Sequence, residues 1–154
     1  MNESLSEAAS ELRRVDHLVF VSLKYTRTVD VIRSIVNRML NAIDFIIDAL
    51  LEHARLQKKL GEIPKNKALK AELVKKTYND DAINEMINLY TKLKRLLRAE
   101  YKASQEYRRH VTMTAITDEG LVDLNIDVMK EHYQKLKDFL KHVSVIIEGE
   151  KEEE

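Results

Sequence analysis

Cysteine is absent from this chain. Disulfide frameworks, thiolate nucleophiles and the common structural zinc sites are therefore excluded, and an intracellular setting is expected. Glycine occurs three times and proline once in 154 residues. Sandwiches and barrels need a turn residue about every ten positions, so an all-β fold is excluded as well. A phosphate-cradling loop is ruled out by the lack of any Gly-rich run. Tryptophan is missing and aromatics make up only 6%, so basic and aromatic residues interleave poorly for base stacking. No uninterrupted apolar run approaches the roughly 20 residues that cross a bilayer. The opening "MNESLSEAASELRR" is polar and acidic, without the apolar segment of a secretion signal. A cytoplasmic protein is the expectation.

What is present favours helices. Apolar residues are 44% and charged residues 34%, a composition suited to one soluble, mainly helical domain. The formal net charge is zero, yet from Arg55 to Arg109 there are 15 Lys and Arg against 7 acidic residues. The remaining segments hold 11 against 19. Charge separated in this way can build a basic surface for a phosphate-bearing partner, or it can serve association between basic and acidic faces.

The apolar positions Leu18, Val21, Tyr25, Val29, Ile32, Val36, Met39, Ile43, Ile46, Leu50 and Ala54 are spaced by three or four, the period of one helix face. A second row, Ile35, Ala42, Phe45 and Ala49, widens the stripe. The pattern predicts a long first helix of about 55 Å, ended by Gly61 and kept from resuming by Pro64. A break near "YTRTVD", with Thr26 or Thr28 as the new cap, is the alternative. "KNKALKAELVKKTY" reads as a short amphipathic helix with Leu69, Leu73 and Val74 on one side. Asn79 or Asp80 then caps a helix whose inward row runs Ile83, Met86, Ile87, Tyr90, Leu93, Leu97, Tyr101 and Ser104, ending near Tyr107.

From Val111 the period changes to two, and it stays so after "TDEG" through Val122, Leu124 and Ile126. That is a hairpin signal at about 111–126. Asp127 can cap a last helix with Met129, Tyr133, Leu136, Leu140, Val143 and Ile147 inward. The expected fold is thus a bundle of four or five helices with one hairpin before the last helix. Residues 1–147 form a single domain and 148–154 a disordered acidic tail.

Several constellations could carry chemistry. No acidic residue stands three positions before any of the five histidines, so a di-metal carboxylate bundle is not indicated. Asp44, Asp48 and Glu52 share a face at steps of four, but within a polar stripe. No metal and no cofactor are called for. The basic row Arg95, Arg98, Lys102 and Arg109 would stack along one helix side and, with Arg108, could hold RNA or a nucleotide by its phosphates. "YRRH" (Tyr107 to His110) concentrates further polar chemistry: His110 with Arg108 or Arg109 could serve a metal-independent ribonuclease. The dipole of a helix C-terminus explains the same cations without a ligand. In "SLKYTRTVD", Arg27 can pair with Asp30. Tyr25, Arg27, Val29, Ile32 and Val36 form a candidate subunit interface.

Two segments carry a resemblance. "NAIDFIIDALLEHARLQKKLGEIPKNKALKAEL" resembles the second helix and the following connection of the HEPN superfamily of small helical bundles. "LYTKLKRLLRAEY" is similar to that family's Tyr…Arg-x-x-Asp-Tyr pattern, with Arg98, Glu100 and Tyr101 near the matching places. The two segments together hold 46 of the 154 residues. The nuclease members carry Arg, four to six residues, then His, and no arginine here stands at that distance before a histidine. The resemblance implies a dimer that is either a non-catalytic partner of a nucleotidyltransferase or an RNA- or nucleotide-binding module. The reading favoured overall is a non-enzymatic interaction module. A HEPN-like ribonuclease and a purely structural oligomerisation protein are the alternatives.

Overall fold

The computed structural model describes residues 2–152. Helix α1 (Glu3–His17) opens on Asn2, whose side chain accepts from the Leu5 N–H, filling one of the donors that a helix start leaves free. Its buried row is Leu5, Ala8, Leu12 and Val15. A wider π turn (Leu18–Ser22) and a short turn α2 (Leu23–Tyr25) continue it. The chain then breaks at Thr26–Thr28 and restarts as α3 (Val29–Leu56), with the Thr28 hydroxyl accepting from the Val31 N–H at 3.3 Å. The single rod expected from Leu18 to Ala54 is therefore two pieces. Apolar spacing of three and four is kept across the break, but Thr28 offers a cap that a continuous helix cannot use.

Helix α3 is the centre of the molecule, packed against α1, α4 (Lys67–Tyr78), α5 (Asp81–Arg98) and α6 (Ile126–Glu152). Ile32, Ile35, Val36, Met39, Ala42, Ile43, Ile46, Ala49 and Leu50 are fully buried. Two apolar rows on one helix need cover on more than one side, and the surrounding helices supply it. Helix α3 ends before Gly61. Lys58 takes the left-handed conformation at φ 61°, while the Lys59 N–H reaches the Ala54 carbonyl and the Lys58 N–H the Arg55 carbonyl. That bond pair is a Schellman closure with lysine where glycine is usual. Asn79 (φ 46°) closes α4 in the same left-handed conformation, and Asp80 caps α5 by accepting from the Ile83 N–H at 2.9 Å.

The expected continuation of α5 to Tyr107 does not occur. Arg33, from α3, donates to the Leu97 carbonyl at 3.1 Å and lies over the Tyr101 ring at 4.6 Å. The end of α5 is fixed from 64 residues away. Beyond it the chain is extended, and β1 (Glu100–Ser104) pairs with β2 (Thr112–Thr117), which pairs in turn with β3 (Gly120–Leu124). The hairpin is thus part of a three-stranded antiparallel sheet. Its apolar face (Val111, Met113, Ala115, Leu124) is buried, with β2 against α3. The β2–β3 turn uses Gly120 at φ +121°, where a Cβ would be strained.

Asn125, not Asp127, caps α6, accepting from the Val128 N–H at 2.9 Å. The tail expected to be disordered from 148 is helical as far as Glu152, and its last two residues lie outside those described.

Polar ties fix the helices in register. Glu11, only 5% exposed, takes Arg14 at 2.7 Å and Arg38 of α3 at 3.3 Å. The Tyr133 hydroxyl of α6 donates to Asp16 at 2.8 Å, and the Tyr90 hydroxyl of α5 donates to Asp44 of α3. Burial and the Asp16 charge push the Tyr133 hydroxyl up to about 12. No helix among the described residues is long and apolar enough to cross a membrane.

Candidate functional site

The break between α2 and α3 leaves backbone groups without helical partners, and the β1–β2 loop meets them. Glu106 accepts from the Val29 N–H at 3.2 Å, and the Tyr107 N–H donates to the Arg27 carbonyl at 2.6 Å. Gln105 (φ 57°) and Tyr107 (φ 63°) both adopt the left-handed conformation there. Side chains other than Gly visit that region at a cost, so the contacts to the break must hold them.

Beside this junction lies a cavity of about 510 Å³, lined also by the start of α6. Lys24, Arg27, Arg109 and Lys130 line it, against one carboxylate, Asp127. His110 and Phe20 complete the wall that matters chemically. The N-terminal turn of α6 adds its partial positive charge to the four cations. Arg27 forms no ion pair with Asp30 among the described residues, and its Nε is shielded from solvent with no hydrogen-bond partner. A shielded guanidinium donor without an acceptor is costly. Phe20 meets the Tyr133 ring edge-on at 5.9 Å, with the Lys130 ammonium 5.6 Å above its face.

The basic row expected on one helix is dispersed. Because α5 stops at Arg98, Lys102 sits on the exposed strand β1, and Arg108 is an exposed residue of the loop outside the cavity. Arg95 and Arg98 line a separate groove of about 920 Å³ between α4, α5 and the sheet. Its charges are partly engaged: Arg95 lies 3.8 Å from Glu119, Lys75 binds Asn88 at 2.8 Å, and Lys94 covers the Tyr90 ring. Of the expected binding set, only Arg109 reaches the cavity.

Of the catalytic candidates, His110 and Arg109 share the cavity, and Arg108 does not. No side-chain partner orients the His110 ring among the described residues, whereas a working general base is normally held by a third group. The interface candidates divide sharply. Val29, Ile32 and Val36 are buried in this chain's own core, so they cannot form a subunit contact, while Tyr25 is 79% exposed.

The acidic stripe is occupied by partners. Asp44 takes Lys67 at 3.3 Å as well as Tyr90, Asp48 takes Lys70 at 2.9 Å, and Glu52 pairs with Arg55. No group of three or more His, Asp or Glu suited to a metal ion occurs among the described residues. The sequence reading missed Lys130 and Phe20 as members of the site. Arg27 stood out as a possible partner of Asp30 and an interface residue, but nothing local links it to the loop around Tyr107.

His132 is the other unusual group. It is 7% exposed, and neither ring nitrogen has a partner. Burial, then the charges of Lys92 and Lys135, push its pKa below the ordinary histidine value.

Comparison of the chain with protein-family models, curated proteins and solved structures gives no match.

Proposed function

We propose that this is a non-enzymatic cytoplasmic module that binds RNA or a nucleotide by phosphate, through the cavity between the α2–α3 break, the β1–β2 loop and the start of α6. The observation that carries the reading is the cavity's charge, with Lys24, Arg27, Arg109 and Lys130 lining it against Asp127 alone. Such a site attracts phosphate through direct charge-assisted bonds and counterion release. The HEPN-like segments imply the same ligand class. Pairing with a second copy or a nucleotidyltransferase, which the likeness also implies, would use surfaces other than Val29, Ile32 and Val36.

The test is binding of labelled RNA at two salt concentrations, with solution mass measured alongside. Retention at low salt that weakens steeply as salt rises supports the reading. A protein that ignores RNA and nucleotides at low salt contradicts it and leaves a structural role.

A second reading has one observation in its favour. Arg109 and His110 line the same cavity, so a ribose hydroxyl and its phosphate could be met together in metal-independent cleavage. His110→Ala separates the two. Under the binding reading affinity for RNA is largely kept; under the second, cleavage exists and this substitution abolishes it.

A further inference from the structure

The two most exposed large apolar side chains among the described residues are tyrosines, Tyr25 at 79% and Tyr107 at 76%. They belong to the two segments that build the basic cavity. Tyr25 lies between the lining residues Lys24 and Arg27, and Tyr107 lies two residues before Arg109. The Tyr107 N–H bond to the Arg27 carbonyl joins the two segments directly. Isolated exposed apolar residues are ordinary on protein surfaces. What sets Tyr107 apart is its backbone.

At φ 63° a β-carbon is disfavoured, and glycine would be the less strained choice. The Tyr107 ring is mostly in water, so it contributes little burial to offset that strain. Folding alone gives no reason for a tyrosine at this position. A ligand that uses the ring does.

We propose that the ligand is a single-stranded RNA segment, with consecutive backbone phosphates held by the cavity's four cations and flanking bases stacked on Tyr25 and Tyr107. This inference rests on the phosphate-binding reading above. The charge of the cavity complements the strand, and every base offers a π-face to an aromatic ring. A duplex keeps its bases stacked on one another and cannot offer them to the tyrosines. A mononucleotide has one base for two rings. Exposed Phe20, inside the cavity wall, adds a third apolar face next to the phosphate site.

The experiment compares a labelled oligouridine of roughly 12 nucleotides with uridine monophosphate and with a duplex RNA of equal length. It uses the full chain, Tyr25→Ala and Tyr107→Gly. The oligouridine is expected to bind most tightly. Each substitution should weaken that binding about tenfold while leaving its salt dependence unchanged, since stacking carries no counterion release. Tyr107→Gly should melt no earlier than the parent, which keeps loss of fold from imitating loss of stacking. Tyrosine variants that bind like the parent, or a duplex bound as tightly as the single strand, would overturn the inference and leave the phosphate reading standing. Failure of every RNA probe at low salt would overturn both.

Discussion

Replacing His132 by leucine should stabilise the protein, and the gain should grow as the solution is acidified. The ring sits where α6 packs on α5, and on folding both of its nitrogens lose water without gaining a partner. An unsatisfied buried polar group costs about 1–3 kcal/mol. Leucine has a comparable volume and no polar atom, so the variant should gain roughly 1–3 kcal/mol near neutral pH. In a chain of this length that corresponds to a melting point about 2–12 °C higher.

The pH dependence follows from the depressed pKa. The folded state prefers the neutral ring, so the unfolded chain binds the proton first as pH falls. Above the ordinary value near 6.5 the parent suffers no protonation penalty. As pH drops from about 6.5 toward the folded pKa, it loses stability by up to about 1.4 kcal/mol per unit. The leucine variant escapes that loss, and titrations common to both proteins cancel in the difference. Urea unfolding of both proteins between about pH 8 and pH 5 measures the effect. A less stable leucine variant, or a difference that stays flat with pH, refutes the reasoning.

Other perturbations test other parts of the structure. Ile43→Ala, in the fully buried row of α3, should cost about 2–5 kcal/mol in denaturant unfolding through lost burial and a residual cavity. Asp80→Ala removes both the α5 cap and the 3.0 Å contact with His142. About 1–2 kcal/mol of stability should go with it. Burial pushes the Asp80 pKa up, but the Ile83 N–H and His142 outweigh it and hold the carboxyl below its ordinary value. Its contribution is therefore complete above about pH 4 and is lost as pH falls through the folded pKa, which acid titration of parent and variant would show. Gly120→Ala, at φ +121° in the β2–β3 turn, should cost about 1–3 kcal/mol, read as a lowered melting temperature.

The parts of the fold legible in the sequence were those decided locally. The buried row from Val29 to Ala54, the Asp80 cap and the alternation around Gly120 each carry their own signal. What stayed hidden was decided at a distance. No Gly or Pro stands between Leu93 and Tyr107, so nothing local announces that α5 stops at Arg98. The contacts that mark its end come from elsewhere: Arg33, on another helix, binds the Leu97 carbonyl, and the residues beyond pair with β2. Helix α1 had its signal in Leu5, Ala8, Leu12 and Val15, but the polar residues among them masked it. The candidate site followed the same rule. Arg109 and His110 were conspicuous as residue types, yet grouping them by helical period joined Arg109 to Arg95 and Arg98, which lie in a different groove. Their actual neighbours, Lys24, Arg27 and Lys130, come from α2, the break and α6, and the Glu106 and Tyr107 contacts tie the loop to that break.

Salt dependence of RNA affinity, taken on the parent and on Arg27→Ala/Arg109→Ala, tests the central claim most directly. Four cations on a single strand predict that log K falls with log salt at a slope of about −3, and that the double substitution brings this to about −1.5. A slope near zero in the parent, or one that the substitutions leave unchanged, would contradict the account.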